Sequence, residues 1–220
     1  MKVLGIDTAT ERCSVALRVG GRSIERAVDT ARGHAEIVLP MVQEVLREAG
    51  LTLRELDGIA YGRGPGAFTG VRVTIGVVQG LAFGAQLPTV GISNLAAVAQ
   101  QIAKPHAKVL VCMDARMSEV YWGVFSADAD GIVGIETSER VSSPNEVQAE
   151  DPSVLAGTGF RAYAHLQARF PEVEVYDGVL PHAREIAALG ELELRAGCGK
   201  PAAQAQPTYL RDKVTFVKEV

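Results

Sequence analysis

The sequence predicts an α/β protein built from two related halves. Three observations carry this. Residues 2–6 are a short apolar run ending in Asp7, and residues 108–113 are a second such run ending in Asp114. Each is followed by a strand-length run that returns through a turn pair, Gly20-Gly21 in one half and Asp130-Gly131 in the other, the mark of a hairpin. Beyond each hairpin, strand-length runs alternate with stretches of helical spacing, the order of an α/β fold.

Element by element, residues 2–6 are a strand, 13–19 alternate loosely as a second, and 22–28 return as a third. Residues 33–49 have helical spacing and stop at Gly50. A strand at 56–61, a helix running to about residue 84, a strand at 88–92 and a helix at 94–103 complete the half, which Lys104-Pro105 closes. Strand–strand–strand–helix–strand–helix is the order of the ribonuclease-H-like fold. The second half repeats it: strands at 108–113, 120–125, 132–136 and 154–156, a helix at 160–170, a strand at 173–176 and a helix at 182–196. Duplication of this unit is the plan of the actin/Hsp70/sugar-kinase superfamily. Two lobes follow, 1–105 and 106–220, with the C-terminal segment either completing the second lobe or packing back on the first.

Residues 61–84 read YGRGPGAFTGVRVTIGVVQGLAFG. Gly62, Gly64, Gly66 and Gly70 form a turn between a strand and a helix. Such a turn suits a phosphate, because free N–H groups and the helix dipole favour an anion. No Gly-Lys-Ser/Thr follows, so it is not a P-loop, and a tight turn without ligand fits equally well. In the helix, Val71, Ile75, Val78, Ala82 and Ala85 share one face. Val73, Val77, Gly80 and Gly84 lie opposite, with Gly76 at the edge, where a surface helix of a monomer is polar. Glycine costs about 0.8–1 kcal/mol per helix position relative to alanine. Gly76, Gly80 and Gly84, spaced by four, therefore suggest a groove for another backbone. A helix buried within one subunit is the competing reading.

Composition removes several classes. The chain has 220 residues, 22% of them charged, and a net charge of −4, which argues against a general nucleic-acid binder. The sequence shows no unbroken apolar run of about 18 residues, the length of a membrane span, and its start has no secretion signal. Cys13, Cys112 and Cys198 are odd in number without a CxxC pair, as in a cytoplasmic protein with reduced thiols, and Cys112 reads as an inert buried one. His34, His106, His165 and His182 have no second histidine at helical spacing, so no metal site is drawn. No serine has a G-x-S-x-G context. In the superfamily the first strand's Asp precedes a glycine hairpin that holds ATP phosphates. Here Ala9 stands in that hairpin, and Asp114 is followed by Ala115-Arg116-Met117. Asp7 is read as capping a turn rather than holding Mg²⁺ through water. His34 is read as an exposed helix-start residue, and Glu191 and Glu193 as facing solvent.

The opening MKVLGIDTAT, RGHAE at 32–36 with Leu39-Pro40, GPGAFTGVR at 64–72 and PTYLR at 207–211 resemble the TsaB/YeaZ family. The resemblance covers most of the chain and is weakest from about 131 to 199. It implies a cytoplasmic, non-catalytic subunit required to make threonylcarbamoyladenosine (t6A) at position 37 of tRNA. It implies pairing with a TsaD-type catalytic subunit, which holds the metal and transfers the threonylcarbamoyl group, and recruitment of a TsaE-type ATPase by the complex. It implies a homodimer when alone, tRNA contact only through the complex, no membrane and no intrinsic cofactor. Neither catalytic nor metal residues are assigned.

The expected partner surface is Ile37, Met41, Val73, Gly76, Val77 and Gly80. Ala35, Val38, Val42, Val45, Leu46 and Ala49 form the first helix's core stripe, and Ile37 and Met41 fall outside it. An ATPase or small-molecule kinase of the superfamily, or an M22-like peptidase, is the alternative. Ala9, the missing second glycine hairpin and the lack of a metal pair or nucleophile triad speak against both.

Overall fold

The computed structural model describes residues 1–211. The first half contributes β1 (Lys2–Asp7), β2 (Arg12–Val19), β3 (Arg22–Asp29), α1 (His34–Ala49), β4 (Gly58–Gly62), α2 (Phe68–Ala85), β5 (Thr89–Ile92) and α3 (Asn94–Ile102). The second contributes β6 (Lys108–Arg116), β7 (Glu119–Ala127), β8 (Val133–Ile135), β9 (Arg140–Ser142), β10 (Val154–Gly157), α4 (Gly159–Ala162), α5 (Ala164–Gln167), β11 (Glu174–Asp177) and α6 (Ala183–Arg195). One sheet runs β3-β2-β1-β4-β5; the other runs β8-β7-β6-β10-β11, with β9 added on β7. In each, the first strand is antiparallel to the second and parallel to the strand on its other side, β4 beside β1 and β10 beside β6. The two halves are thus the same unit used twice, the two-lobed ribonuclease-H-like fold.

The core lies in three layers between these elements. Alternation along β1 sends Leu4 and Ile6 toward α1 and α2, where they meet Val38, Val42, Val45, Val71, Ile75 and Val78. Val3 points the other way, into a layer shared by both sheets, with Val98 of α3, Ile186 and Leu189 of α6, and Val109, Val111 and Met113 of β6. Beyond the second sheet, Leu110, Cys112, Trp122 and Leu155 pack on Phe160 and Leu166 of the short helices. The middle layer is exchanged between halves. Helix α6, from the second half, lies on β1, β2, β4 and β5, while α3, from the first, lies against β6, β7, β8 and β10. Strands with helices on both faces are apolar on both sides, so their sequence reads as near-continuous runs.

Residues 200–211 cross both lobes. Thr89 N donates to Lys200 O at 2.7 Å, Gln206 N to Tyr61 Oη at 3.1 Å, and Thr208 N to Arg63 O at 2.7 Å. Gln79 of α2 donates to Ala205 O at 2.9 Å, and Arg211 reaches Glu119 and Ala115 O in the second lobe.

Three sequence expectations change. The helix expected at 160–170 is two short pieces parted at Tyr163, which leaves the helical region (φ −134°) and whose hydroxyl donates to Asp114 at 3.2 Å. Glu191 does not face solvent: it is 7% exposed, bonded to Arg18 and Arg195 at 2.6 Å each and to the N-terminal ammonium at 3.3 Å. Burial alone would raise its pKa, but these cations win and hold it at about 2. Finally, α2 is long and apolar enough to cross a membrane by length and composition, with a mean hydropathy of 1.3. Its threonines, glycines and single arginine interrupt any unbroken apolar run, yet the average remains high. One of its faces is core.

Glycines set the closeness of the middle layer. A Cβ on Gly190 of α6 would come 2.2 Å from Ala60 Cβ in β4, and one on Gly5 of β1 would come 2.4 Å from Ala183 O. Alanine at Gly190 gains about 1 kcal/mol in helix propensity. The clash falls on a short side chain with nowhere to move, and overpacking costs about 1–3 kcal/mol. Gly190→Ala should therefore destabilise the protein in urea unfolding despite the better helix former; a midpoint equal to or above the parent's would refute this packing.

Candidate functional site

The two sheets meet at a cleft of about 1390 Å³ that receives the Thr8–Thr10 hairpin, the start of α1, the 65–71 turn and the Asp114–Arg116 corner. In a nucleotide-binding member of the fold, phosphates would lie here. The glycines of the turn are spent on protein instead. A Cβ on Gly66 would meet Ala9 O at 2.5 Å, and one on Gly70 would meet Thr8 O at 2.0 Å. Ala67 N donates to Ala9 O at 2.7 Å, Thr8 Oγ1 to Gly70 O at 2.7 Å, and Thr8 N to Thr74 Oγ1 at 3.0 Å. Glycine at 66 and 70 lets α2's entry lie directly on the hairpin, the packing role that the tight-turn reading gives them.

Both strand-end acids are engaged by groups of the protein. Asp7 is completely buried; Oδ1 accepts from Asn94 Nδ2 at 2.8 Å and from Ala9 N at 3.4 Å, and Oδ2 has no hydrogen-bond partner. Desolvation raises its pKa to about 7, against the lowering effect of the Asn94 bond. Asn94 in turn accepts from Gly64 N at 2.8 Å, so Asp7 secures the glycine turn through Asn94. This exceeds the simple turn cap expected from sequence. Asp114 pairs with Arg116 at 3.0 Å and accepts from Arg116 N and Tyr163 Oη. Arg116, Met117 and Ser118, where a glycine hairpin would be needed, each have φ between 55° and 60°. No group of three or more His, Cys, Asp or Glu side chains able to hold a metal occurs among the described residues. Burial raises the Cys112 thiol far above its usual pKa and Cys13 to about 11, leaving both poor nucleophiles. His34 is half-buried rather than exposed, its Nε2 2.9 Å from Thr10 O, so α1 is tied to the same hairpin.

The second feature is the outer face of α1 and α2. Gly76 and Gly80 are exposed, and a Cβ on either would meet nothing within 4 Å. Ile37, Val73 and Val77 are half-buried at the edge of the core. Met41 departs from expectation: it is 7% exposed and packs into the core, its sulfur 3.9 Å from Cys13 Sγ. The apolar stripe of α1 is wider than the sequence count, because β2 and α2 both press on it. Sequence reasoning missed Leu39, Phe68 and Phe83, which are 43%, 57% and 82% exposed. Phe83 follows Gly76 and Gly80 by seven and three positions on the same helix face, a spacing visible in the sequence. Phe68 stacks on Tyr209 with ring centroids 5.7 Å apart, and the Arg72 guanidinium lies 3.3 Å above the Phe68 ring.

Fold and site together define a class: a duplicated ribonuclease-H-like protein whose first hairpin packs on its own glycine turn and whose α1–α2 pair carries exposed apolar residues. The family of TsaD, tRNA N6-adenosine threonylcarbamoyltransferase, matches residues 28–215. The tRNA threonylcarbamoyladenosine biosynthesis protein TsaB of Escherichia coli K12 is 39% identical over 99% of this chain and 98% of its own length. That of Haemophilus influenzae is 39% identical over 99% and 97%. The solved structure of YeaZ from Pseudomonas aeruginosa superposes with a TM-score of 0.85 at 41% identity, covering 95% of this chain and 99% of that one. The chain belongs to the TsaB/YeaZ family.

The Asp7 geometry has a consequence for pH. A native pKa of about 7 means that the folded protein keeps a proton that the unfolded chain releases near pH 4. Stability from this group is therefore greatest below about pH 4, falls as pH rises to about 7, and levels off above, with a slope of at most about 1.4 kcal/mol per pH unit. Asp7→Asn should lack this decline. Urea midpoints of parent and variant between pH 4 and 8 would test it, and parallel profiles would exclude a buried, titrating Asp7.

Proposed function

We propose that this chain is a non-catalytic subunit in the synthesis of t6A in tRNA, acting by presenting the outer face of α1 and α2 to a TsaD-type catalytic subunit. The observation that carries the docking role is the exposed row of Gly76, Gly80 and Phe83 with no neighbour over it. Exposed apolar area of this kind marks an interface, and the glycine row admits another helix at close range. The family membership supports the pathway. The turn glycines packed on the Thr8-Ala9 backbone, the buried Asp7 and the Arg116-bound Asp114 support the absence of chemistry in the isolated chain. In this reading the protein is cytoplasmic and has no cofactor of its own. It pairs with itself through the same face when alone, and meets a TsaE-type ATPase and tRNA only within the complex.

Two experiments test this. In a reconstituted t6A assay with catalytic subunit, ATPase and the enzyme making the activated threonylcarbamoyl donor, omission of this chain should abolish product. The pure chain should turn over neither ATP nor peptide. Undiminished t6A without it, or ATP turnover lost on Asp7→Ala, would reverse the reading.

The glycine row separates docking from folding. Gly80→Ala should raise the stability of the monomer, at concentrations too low for self-association, by about 0.8–1 kcal/mol, because within the chain its Cβ meets nothing within 4 Å. Gly80→Leu should leave the fold intact and weaken association by about 1–3 kcal/mol through overpacking of the groove. Sedimentation and pull-down with the catalytic subunit measure association, and urea unfolding measures stability. Parent-like binding by Gly80→Leu would place the interface elsewhere.

A further inference from the structure

A second cleft, of about 320 Å³, shares no lining residue with the large one or with the outer helix face. It lies where the β2–β3 hairpin, α3, the turn before β8 and α6 meet, and is lined by Arg18, Ser23, Ile132, Arg184, Glu185 and Leu189 among others. Two buried polar atoms on its wall, Ser23 Oγ and Glu185 Oε2, have no hydrogen-bond partner. Glu185 is 7% exposed, and its other oxygen accepts from Arg184 Nε at 2.7 Å. A buried carboxylate oxygen without a donor is costly to maintain.

The same wall holds unspent cationic donors. Arg18 gives Nε to Glu191 at 2.6 Å and Nη1 to Gly21 O at 3.0 Å, and its Nη2 has no partner among the described residues. Arg184 gives Nε to Glu185, its Nη1 lies 3.9 Å from Glu25, and its Nη2 likewise has no partner there. The cleft thus offers an acceptor and a hydroxyl for an ammonium, two guanidinium edges for a carboxylate, and an apolar wall of Ile132 and Leu189. A few placed polar groups on an apolar wall are the makeup of a small-molecule site, and guanidinium edges pair with carboxylates through charge-assisted bonds.

We propose that this cleft binds a free α-amino acid with a small aliphatic side chain. The ammonium sits on Glu185 Oε2 and Ser23 Oγ, the carboxylate between Arg18 and Arg184, and the side chain on Ile132 and Leu189. Ser23 comes from the first half, while Ile132 and α6 come from the second, so a bound molecule ties the lobes together. The proposal is independent of the subunit reading above.

L-valine is the probe. A site of millimolar affinity is about nine-tenths filled at roughly 10 mM ligand. Titration to that concentration should shift the amide signals of Gly21, Ile132 and Leu189 in nitrogen–proton correlation spectra, and the shifts should saturate. N-acetyl-L-valine lacks the ammonium and L-valine methyl ester lacks the carboxylate, so each should bind at least about tenfold more weakly. Glu185→Gln and Arg184→Met, checked for parent-like thermal unfolding, should each weaken binding by a similar factor. If Glu185→Gln does not fold, the half-exposed Arg184→Met decides. Absence of saturable shifts, equal response to the blocked analogues, or parent-like binding by the folded variants would overturn the site.

Discussion

The close approach of α6 to the first sheet is the constraint on which the rest depends. Gly5 lets the α6 backbone lie directly on β1, and Gly190 lets α6 close onto the Ala60 methyl of β4. That contact places a helix of the second half on β1, β2 and β4, while α3 makes the reciprocal contact with the second sheet. Each half therefore completes the other's core. The buried Glu191, gripping Arg18, Arg195 and the chain's own N-terminus, closes the end of this layer. A buried charge is tolerated there because three cations surround it.

The cleft above this layer is bordered by the hairpin after β1 and the entry of α2. The hairpin after β1 bonds to the entry of α2, with Ala67 N donating to Ala9 O and the Thr8 hydroxyl donating to Gly70 O. Asp7 is drawn inward to Asn94, which holds Gly64. In this chain the acid and glycines aim a helix. The rigidity gained fixes the direction of α2, and with it the face bearing Gly76, Gly80 and Phe83. The same set of bonds thus holds both the hairpin and the entry of α2.

Much of the fold was legible in the residues. The repeated strand-to-acid opening, the turn pairs at Gly20-Gly21 and Asp130-Gly131, and the helical spacing of Val71, Ile75 and Val78 depend only on local periodicity. The sheets with their matching strand orders follow that pattern. The outer face of α1 and α2 was legible only in part. Gly76 and Gly80 are solvent-facing, but Met41 is drawn into the core by β2, which no count along α1 alone includes.

By itself the sequence determined element type, the duplication and the family, because periodicity, turn chemistry and the 64–72 motif are local properties of the chain. Tertiary structure alone decided what each polar or glycine residue meets. Glu191 was placed on the exposed side of its helix until Arg18, from a strand 173 positions away, was brought against it. The glycines of the 62–70 turn admitted a phosphate or a backbone until Thr8 and Ala9 filled the space. Burial and hydrogen-bond partners are set by contacts between segments distant in the chain, and residue spacing carries no record of which segment arrives.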